Sequence, residues 1–164
     1  MRPIILSRAL VAGAVGAVCA SQTTGGAANL LINGTLAASG IATLDVQRQI
    51  GITSAGDVSA VIFTVTGTDS QGRVISETIT GVNANTVNSV LNYLTVTRIA
   101  ASATVGTAVT VDTVGIGASQ EIPLDQYQTP FNAGISMQLV SGSGSWTLQY
   151  TFDNVFDGTG GPYV

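Results

Sequence analysis

The stretch that decides the fold is Ala60-Val61-Ile62-Phe63-Thr64-Val65-Thr66, and Thr107-Ala108-Val109-Thr110-Val111 is a second of the same kind. β-branched side chains are stiff at χ1 and pack well on a pleated surface, so both stretches favour strands. The first is followed by Asp69-Ser70-Gln71-Gly72, which has a common length for a hairpin loop. The middle of the chain is therefore predicted to contain a β-hairpin.

Runs of the same kind recur on both sides, separated by turn signals roughly every 8 to 12 residues. Strands are predicted at 41–44, 47–53, 60–68, 74–81, 93–100, 108–114, 135–140 and 146–152, turns at 115–119 and 141–145, and a short helix at 84–91. Strands this frequent favour a sandwich or barrel over βαβ units. The sequence therefore predicts an all-β domain.

A second hairpin is predicted around Asn33-Gly34, which lies between Leu30-Leu31-Ile32 and Thr35-Leu36-Ala37. This dipeptide fits a type I′ turn, because both residue types tolerate positive φ. Asn33-Gly34-Thr35 is also a glycosylation sequon, but the turn accounts for it without a secretory pathway.

The composition favours a scaffold over an enzyme. The 164 residues include no histidine, no basic residue other than five arginines, and one cysteine, so most side chains used in catalysis and metal binding are scarce. This length fits one domain that buries roughly two thirds of the surface of its unfolded chain. Cys19 alone cannot form an intrachain disulfide, which excludes a disulfide-rich secreted scaffold.

The charge content predicts self-association and no nucleic-acid partner. Only 9% of the residues are charged and 45% are hydrophobic, so we expect some apolar surface to meet another chain. The net charge of −4 and the scattered arginines argue against binding to nucleic-acid phosphates, which requires clustered Lys and Arg.

The N-terminal segment, residues 1–28, has two interpretations. Arg2 and Arg8 precede an apolar stretch at 9–20 that is too short to span a membrane and ends like a signal-peptide cleavage site. The alternative, which we favour, is an ordered arm and connector tied to the body or to a neighbouring subunit. The apolar side chains predicted to make this contact are Ile4, Ile5, Leu6, Leu10 and Val11.

Two loops resemble parts of catalytic or nucleotide-binding motifs. Gly115-Ile116-Gly117 begins like a dinucleotide-binding loop, but the sixth position of the pattern is Gln120 and no helix is predicted after it. The loop at 141–145 places a serine between glycines, but a chain without histidine lacks the usual base. Both are predicted to be turns.

Two pairs of acids are the remaining catalytic candidates, because glycoside hydrolysis needs only two carboxyl groups. These pairs are Glu121 with Asp125 and Asp153 with Asp157, and a calcium site from Asp69, Gln71 and Glu77 is also conceivable. All these acids lie among turn-forming or hairpin residues, where carboxylates are normally solvated or cap the backbone. We therefore expect no enzymatic activity, no metal and no cofactor.

The C-terminal third contains one predicted core strand and one predicted contact loop. Trp146, Leu148, Tyr150 and Phe152 alternate at a spacing of two, so one face of a strand would bury them. The preceding loop at 121–132 is stiffened by two prolines and should run over the surface as a contact element. Its predicted interface residues are Pro123, Tyr127, Pro130 and Phe131.

The order of the motifs resembles small structural proteins of tailed bacteriophages over roughly residues 29–156. The motifs that carry the resemblance are Ile52-Thr53-Ser54-Ala55-Gly56, Phe63-Thr64-Val65-Thr66-Gly67-Thr68-Asp69 with Gly72, Ser76-Glu77-Thr78-Ile79-Thr80-Gly81, Leu94-Thr95-Val96-Thr97, Pro123-Leu124-Asp125, Pro130-Phe131-Asn132 and Leu148-Gln149-Tyr150-Thr151-Phe152-Asp153-Asn154. They are β-hairpin motifs and include no catalytic signature.

The resemblance implies a capsid decoration (cement) protein with a jelly-roll-like antiparallel β-sandwich at 29–164 and an extended N-terminal arm. Such a protein is made in the host cytoplasm and ends on the capsid surface of the virion. Its implied partners are the major capsid protein and two further copies of itself, in a homotrimer at threefold and quasi-threefold positions, with no nucleic acid and no membrane. The arm would serve trimer exchange or capsid docking.

Three other functions stay open at the level of the sequence. A tail-tube or head-completion protein would form rings and not trimers. A secreted carbohydrate-binding module is supported by the signal-peptide interpretation of the N-terminal segment and by Trp146. A glycosidase would depend on the acid pairs.

Overall fold

The computed structural model describes residues 7–122 and 134–150. Within them, nine strands form one antiparallel sheet, and no helix is long and apolar enough to cross a membrane. The strands are β1 (Ala14–Thr24), β2 (Ala28–Asn29), β3 (Ala37–Ala38), β4 (Ile41–Ser54), β5 (Ile62–Thr68), β6 (Val74–Thr80), β7 (Thr86–Asn88), β8 (Tyr93–Ala101) and β9 (Val105–Gly117). The chain forms two compact units, Met1–Gln120 and Glu121–Val164, and all nine strands lie in the first.

The strand order is β1-β9-β4-β8-β5-β6, with β2 paired to β8 and both β3 and β7 paired to β4. β4 joins two groups of strands because its two halves have different main partners. Its first half pairs with β8, as in Ala42↔Val96, whereas its second half pairs with β9, as in Ile52↔Val111. The register shifts on both sides of Arg48, which lies between the two halves.

The core lies between these groups of strands and draws on both. Strands β1, β4 and β9 supply side chains such as Val18, Ile52 and Val111. Strands β5 and β8 supply Phe63 and Val96, and all five side chains are fully or almost fully buried. One contiguous apolar cluster is therefore covered from two sides. The predicted all-β antiparallel, sandwich-like class is confirmed.

Most of the predicted strands in the first unit are present. The hairpin at 69–72 is confirmed, because β5 and β6 pair in unbroken register from Ile62↔Thr80 to Thr68↔Val74. The strands predicted at 41–44 and 47–53 are one continuous strand, β4.

The short helix predicted at 84–91 is wrong, because part of that segment pairs with the sheet. Residues Thr86–Asn88 form β7 and run antiparallel to β4, with Ile52 opposite Val87. Pairing beside a buried strand outweighs a weak local helix preference.

The predicted hairpin at Asn33-Gly34 is also wrong, since β2 pairs with β8 and β3 with β4. This segment lies instead along β1, where the Gly34 N–H donates to the Val18 carbonyl and Asn33 Oδ1 accepts the Ala20 N–H, both at 3.0 Å. A Cβ on Gly34 would lie 2.3 Å from the Ala17 carbonyl oxygen, so close backbone approach is what requires glycine here.

Three further segments differ from their sequence predictions. Residues 14–24, assigned to the arm and connector, form β1, with Val18 and Cys19 buried. The turn predicted at 115–119 begins inside β9, which continues to Gly117. The strand predicted at 135–140 is absent, as is the described part of the strand predicted at 146–152, because residues 134–150 contain no strand.

Candidate interaction surface

The residues predicted to make interfaces fall mostly outside the described ranges. Leu10 and Val11 are described, and their exposed fractions of 46% and 60% leave both open to a partner. Ile4, Ile5, Leu6, Pro123, Tyr127, Pro130 and Phe131 lie outside the described residues.

An ion pair holds the N-terminal segment against the sheet. Arg48 is 1% exposed, and its Nη1 donates to Asp45 Oδ1 at 2.8 Å. Its Nη2 donates to the Val11 carbonyl at 2.8 Å and its Nε to the Val114 carbonyl at 2.9 Å, while Asp45 Oδ2 accepts the Val11 N–H at 2.8 Å. Both backbone groups of Val11 are thereby fixed to β4.

This arrangement lowers the pKa of the Asp45 carboxyl group. Partial burial by itself raises its pKa, but the Val11 N–H and the Arg48 guanidinium favour the charged form and outweigh burial. The pKa of Asp45 therefore lies below its usual range, and its carboxylate is charged at neutral pH in this contact of Asp45 and Arg48 with Val11, which we call the clamp.

A second carboxylate, Asp112 of β9, holds the irregular part of β1 around Gly16. Asp112 accepts the Gly16 N–H at 2.6 Å and the Thr53 hydroxyl at 2.5 Å. Gly16 has φ of 65°, a conformation that favours glycine. Burial, and then the charge of Asp112, raises the pKa of the nearby Cys19 thiol to about 12, so this cysteine is an inert core residue.

Glu77 holds the loop after β7. Its carboxylate accepts the N–H groups of Val90 at 2.9 Å and Leu91 at 3.2 Å and the Tyr93 hydroxyl at 3.0 Å. Burial, with Glu77 as the second cause, raises the pKa of Tyr93 above its ordinary value. Glu77 thus orders the loop through three hydrogen bonds.

The residues considered for calcium are used in separate contacts. Asp69 accepts the N–H groups of Gln71 and Arg73 and pairs with the Arg73 side chain, which stabilises the β5–β6 loop. Glu77 binds the loop after β7 instead. Across the described ranges, no cluster of three or more His, Cys, Asp or Glu side chains is close enough to hold a metal ion.

The catalytic candidates are not assembled by the described residues. Gly115-Ile116-Gly117 lies at the end of a strand, so it does not form the phosphate-binding turn before a helix. Ser141 and Gly142 lie in a bend, where Gly142 has φ of 83°. Of the paired acids only Glu121 is described, since Asp125, Asp153 and Asp157 lie outside the described residues.

A small polar cleft lies beside the clamp. Its volume is about 190 Å³, and its lining includes Arg8, Asp45 and Gln47. Gln47 crosses it, accepting the Ser70 N–H at 2.9 Å and donating to the Ser119 carbonyl at 3.2 Å. Ligand pockets usually enclose about 300–1,000 Å³, so this cleft is better suited to joining loops than to holding a substrate.

Several large apolar side chains of the second unit are exposed. Trp146, Leu148 and Tyr150 were predicted to be a buried face, but they are 65%, 51% and 69% exposed. The prediction failed because the residues form no strand and no second layer covers them within the described residues of this unit. Phe152, the fourth member, lies outside the described residues.

Sequence reasoning missed the side chains that organise the first unit, namely Asp45, Arg48 and Asp112. One signal was available, because an arginine inside a predicted strand of a chain this poor in charge calls for an internal partner. Comparison with models of protein families, with curated proteins and with solved structures finds no match.

Proposed function

We propose that this protein is a structural virion subunit of a tailed bacteriophage, a capsid decoration (cement) protein. It binds the outer shell as an oligomer and stabilises contacts between capsomers. The similarity of its hairpin motifs to those phage proteins supports this proposal, and the trimer and the major capsid protein as partner come from the same similarity.

One observation in the structure carries the proposal: large apolar side chains are exposed where charge is absent. Residues 126–152 contain no Asp, Glu, Lys or Arg, and Ile135, Met137, Leu139 and Trp146 in this stretch are all exposed. Exposed apolar surface of this kind marks protein interaction sites.

Four of the six described carboxylates support a structural role. Asp45, Asp69, Glu77 and Asp112 each accept backbone or side-chain hydrogen bonds within the fold. A carboxylate held in this way is suited to ordering loops and strands.

Repeating a modest interface across a symmetric shell supplies avidity without a strong single contact.

The test is mass spectrometry of purified phage particles. We expect the full-length chain in a fixed copy number relative to the major capsid protein. A chain missing from particles, or one lacking about its first 20 residues because of secretion, would contradict the proposal. A few copies in a ring would indicate a tail-tube or head-completion protein instead.

Exposed aromatic rings favour one second candidate, a secreted carbohydrate-binding module. Trp146 and Tyr150 lie on the surface, where aromatic rings can stack on sugars. In that case Trp146→Ala abolishes retention on polysaccharide columns, whereas Trp146→Phe retains part of it. A decoration protein is not retained at all.

A further inference from the structure

The sheet has one long, regular edge that no strand of the described residues covers. β6 ends the strand order and pairs with β5 over seven residues without a register shift. The opposite end, β1, is protected, because its pairing with β9 is interrupted three times and Gly34 and Leu36 donate to the carbonyls of Val18 and Ala17.

The backbone groups that β6 leaves free can be identified. Asp69 N–H donates to the Arg73 carbonyl at 3.0 Å and Gly81 N–H to the Val61 carbonyl at 2.8 Å. Bonded and non-bonded pairs alternate in antiparallel sheets, so residues 75, 77 and 79 exchange hydrogen bonds with β5. Residues 74, 76, 78 and 80 therefore direct their N–H and C=O groups to the open edge.

This edge lacks the usual protection against a further strand. Exposed edges are normally interrupted by lysine, proline or bulges. The chain has no lysine, and its four prolines all lie outside β6. Behind the edge, Ile75, Val87 and Leu91 pack on the core but are only half-buried, so another apolar row would complete their burial.

Residues 134–150 have the alternating apolar pattern that such an additional row requires. Ile135, Met137 and Leu139 alternate with polar residues and are 58%, 45% and 61% exposed. Trp146, Leu148 and Tyr150 repeat the alternation after the glycine–serine bend. Alternation at a spacing of two is typical of a strand with one buried face, yet these residues form no strand.

We propose that the second unit of one copy adds to the β6 edge of a second copy, with residues 134–140, before the bend at Ser141 and Gly142, as the added strand. Main-chain hydrogen bonds to residues 74–80 supply affinity, and alternate apolar side chains extend the row that contains Ile75. Each chain carries both halves of the contact, so the contact is head-to-tail, and it forms a closed ring such as a trimer where the rotation between successive copies closes. This contact is independent of what the assembly coats.

The segment side is tested with a matched pair of variants on purified full-length protein. Light scattering after size-exclusion chromatography should give a multiple of the 16.5 kDa chain mass. Met137→Lys places a charge on the apolar face and should raise the dissociation constant at least about tenfold, equal to about 1.4 kcal/mol. Gln138→Lys adds the same charge to the polar face and should leave the mass unchanged.

The edge side is tested at Thr78, whose N–H points away from β5. Thr78→Pro removes that donor while sparing the β5–β6 hydrogen bonds, as prolines on edge strands do. We expect loss of the oligomer with an unchanged far-UV circular dichroism spectrum. Thr78→Val keeps the N–H and should keep the oligomer.

Cross-linking identifies the two partners directly. A copy carrying Thr78→Cys is mixed with a differently tagged copy carrying Gln138→Cys, and a short bismaleimide is added. Its reach covers register differences of a few residues at about 3.3 Å each, and native Cys19 is buried. The product that joins the two tags is expected.

Four outcomes would overturn this inference: a native chain that is monomeric at every concentration, Met137→Lys and Gln138→Lys behaving alike, an oligomer that survives Thr78→Pro, or cross-links only between two Thr78→Cys copies. None of these experiments uses phage particles. Failure here is therefore distinguishable from failure of the proposed virion role.

Discussion

Arg48 shows how one side chain can connect three parts of the chain. It is almost fully buried, although arginine is rarely buried without partners. Its hydrogen bonds reach Asp45 on its own strand, Val11 in the N-terminal segment and Val114 on β9. The desolvation of the guanidinium is offset only while all these acceptors are in place.

Removing this guanidinium should destabilise the first unit strongly. Arg48→Met keeps most of the side-chain volume but leaves Asp45 and the carbonyls of Val11 and Val114 without their donor. We expect the free energy of unfolding to fall by about 3 kcal/mol in urea titrations. Arg98→Met is the control, because Arg98 is exposed and its side chain bonds Asn29 among the described residues, and it should lose less than about 0.5 kcal/mol.

The lowered pKa of Asp45 predicts that the folded protein loses stability in acid. Its folded pKa lies below the unfolded value of about 3.9. The contribution of Asp45 to the free energy of unfolding is therefore complete above the unfolded pKa and is lost as the pH falls through the folded pKa. The difference in unfolding free energy between wild type and Asp45→Asn should be largest at neutral pH and shrink below about pH 4; a difference that grows in acid would contradict this.

Cys19 should be unreactive in the folded protein. The thiol is fully buried, and burial raises its pKa to about 12, so little thiolate exists at neutral pH. We expect no modification by a chromogenic disulfide reagent at pH 8 until urea unfolds the chain. Rapid labelling of the native protein would contradict the burial of β1.

At the level of elements, local preference located strands but not their partners. The runs at 60–68 and 108–114 became β5 and β9 because β-branched residues favour strands in any pairing. β1 was missed because its alanines and glycine carry little strand preference, and contacts with β9 make it a strand. Asn33-Gly34 was assigned to a turn by local chemistry, whereas its contacts lie far along the chain.

Gly34 provides the test of that interpretation. Gly34→Ala would place a Cβ 2.3 Å from the carbonyl oxygens of Gly16 and Ala17. The backbones must then separate, and we expect a loss of about 1–3 kcal/mol on thermal or urea unfolding. Gly106→Ala is the matched control within β9, since nothing lies within 4 Å of its added Cβ, and it should be close to neutral.

At the level of the whole molecule, charge is unevenly divided between the two units. Residues 1–120 contain five arginines and five carboxylates, whereas residues 121–164 contain four carboxylates and no basic residue. The net charge of −4 thus belongs to the second unit. The acids of that unit flank the uncharged stretch at 126–152 and are absent from it.

Association through that uncharged stretch should respond weakly to salt. Raising NaCl from about 0.05 to about 0.5 M shortens the screening length severalfold, which weakens contacts between exposed charges but not apolar burial. We expect the dissociation constant of the oligomer, measured by analytical ultracentrifugation, to change less than about twofold across this range. A tenfold weakening would indicate ion pairs at the contact.

The sequence by itself determined the all-β class, the β5–β6 hairpin and most strand positions, because β-branched runs and turn residues act within a few neighbours in the chain. Only the tertiary structure decided that residues 14–24 join the sheet, that Arg48 is buried, that no described strand covers the outer edge of β6 and that residues 134–150 stay outside any strand. These features depend on which backbones approach each other over long separations in sequence. Local propensity depends on neighbouring residues in the chain and does not specify such contacts.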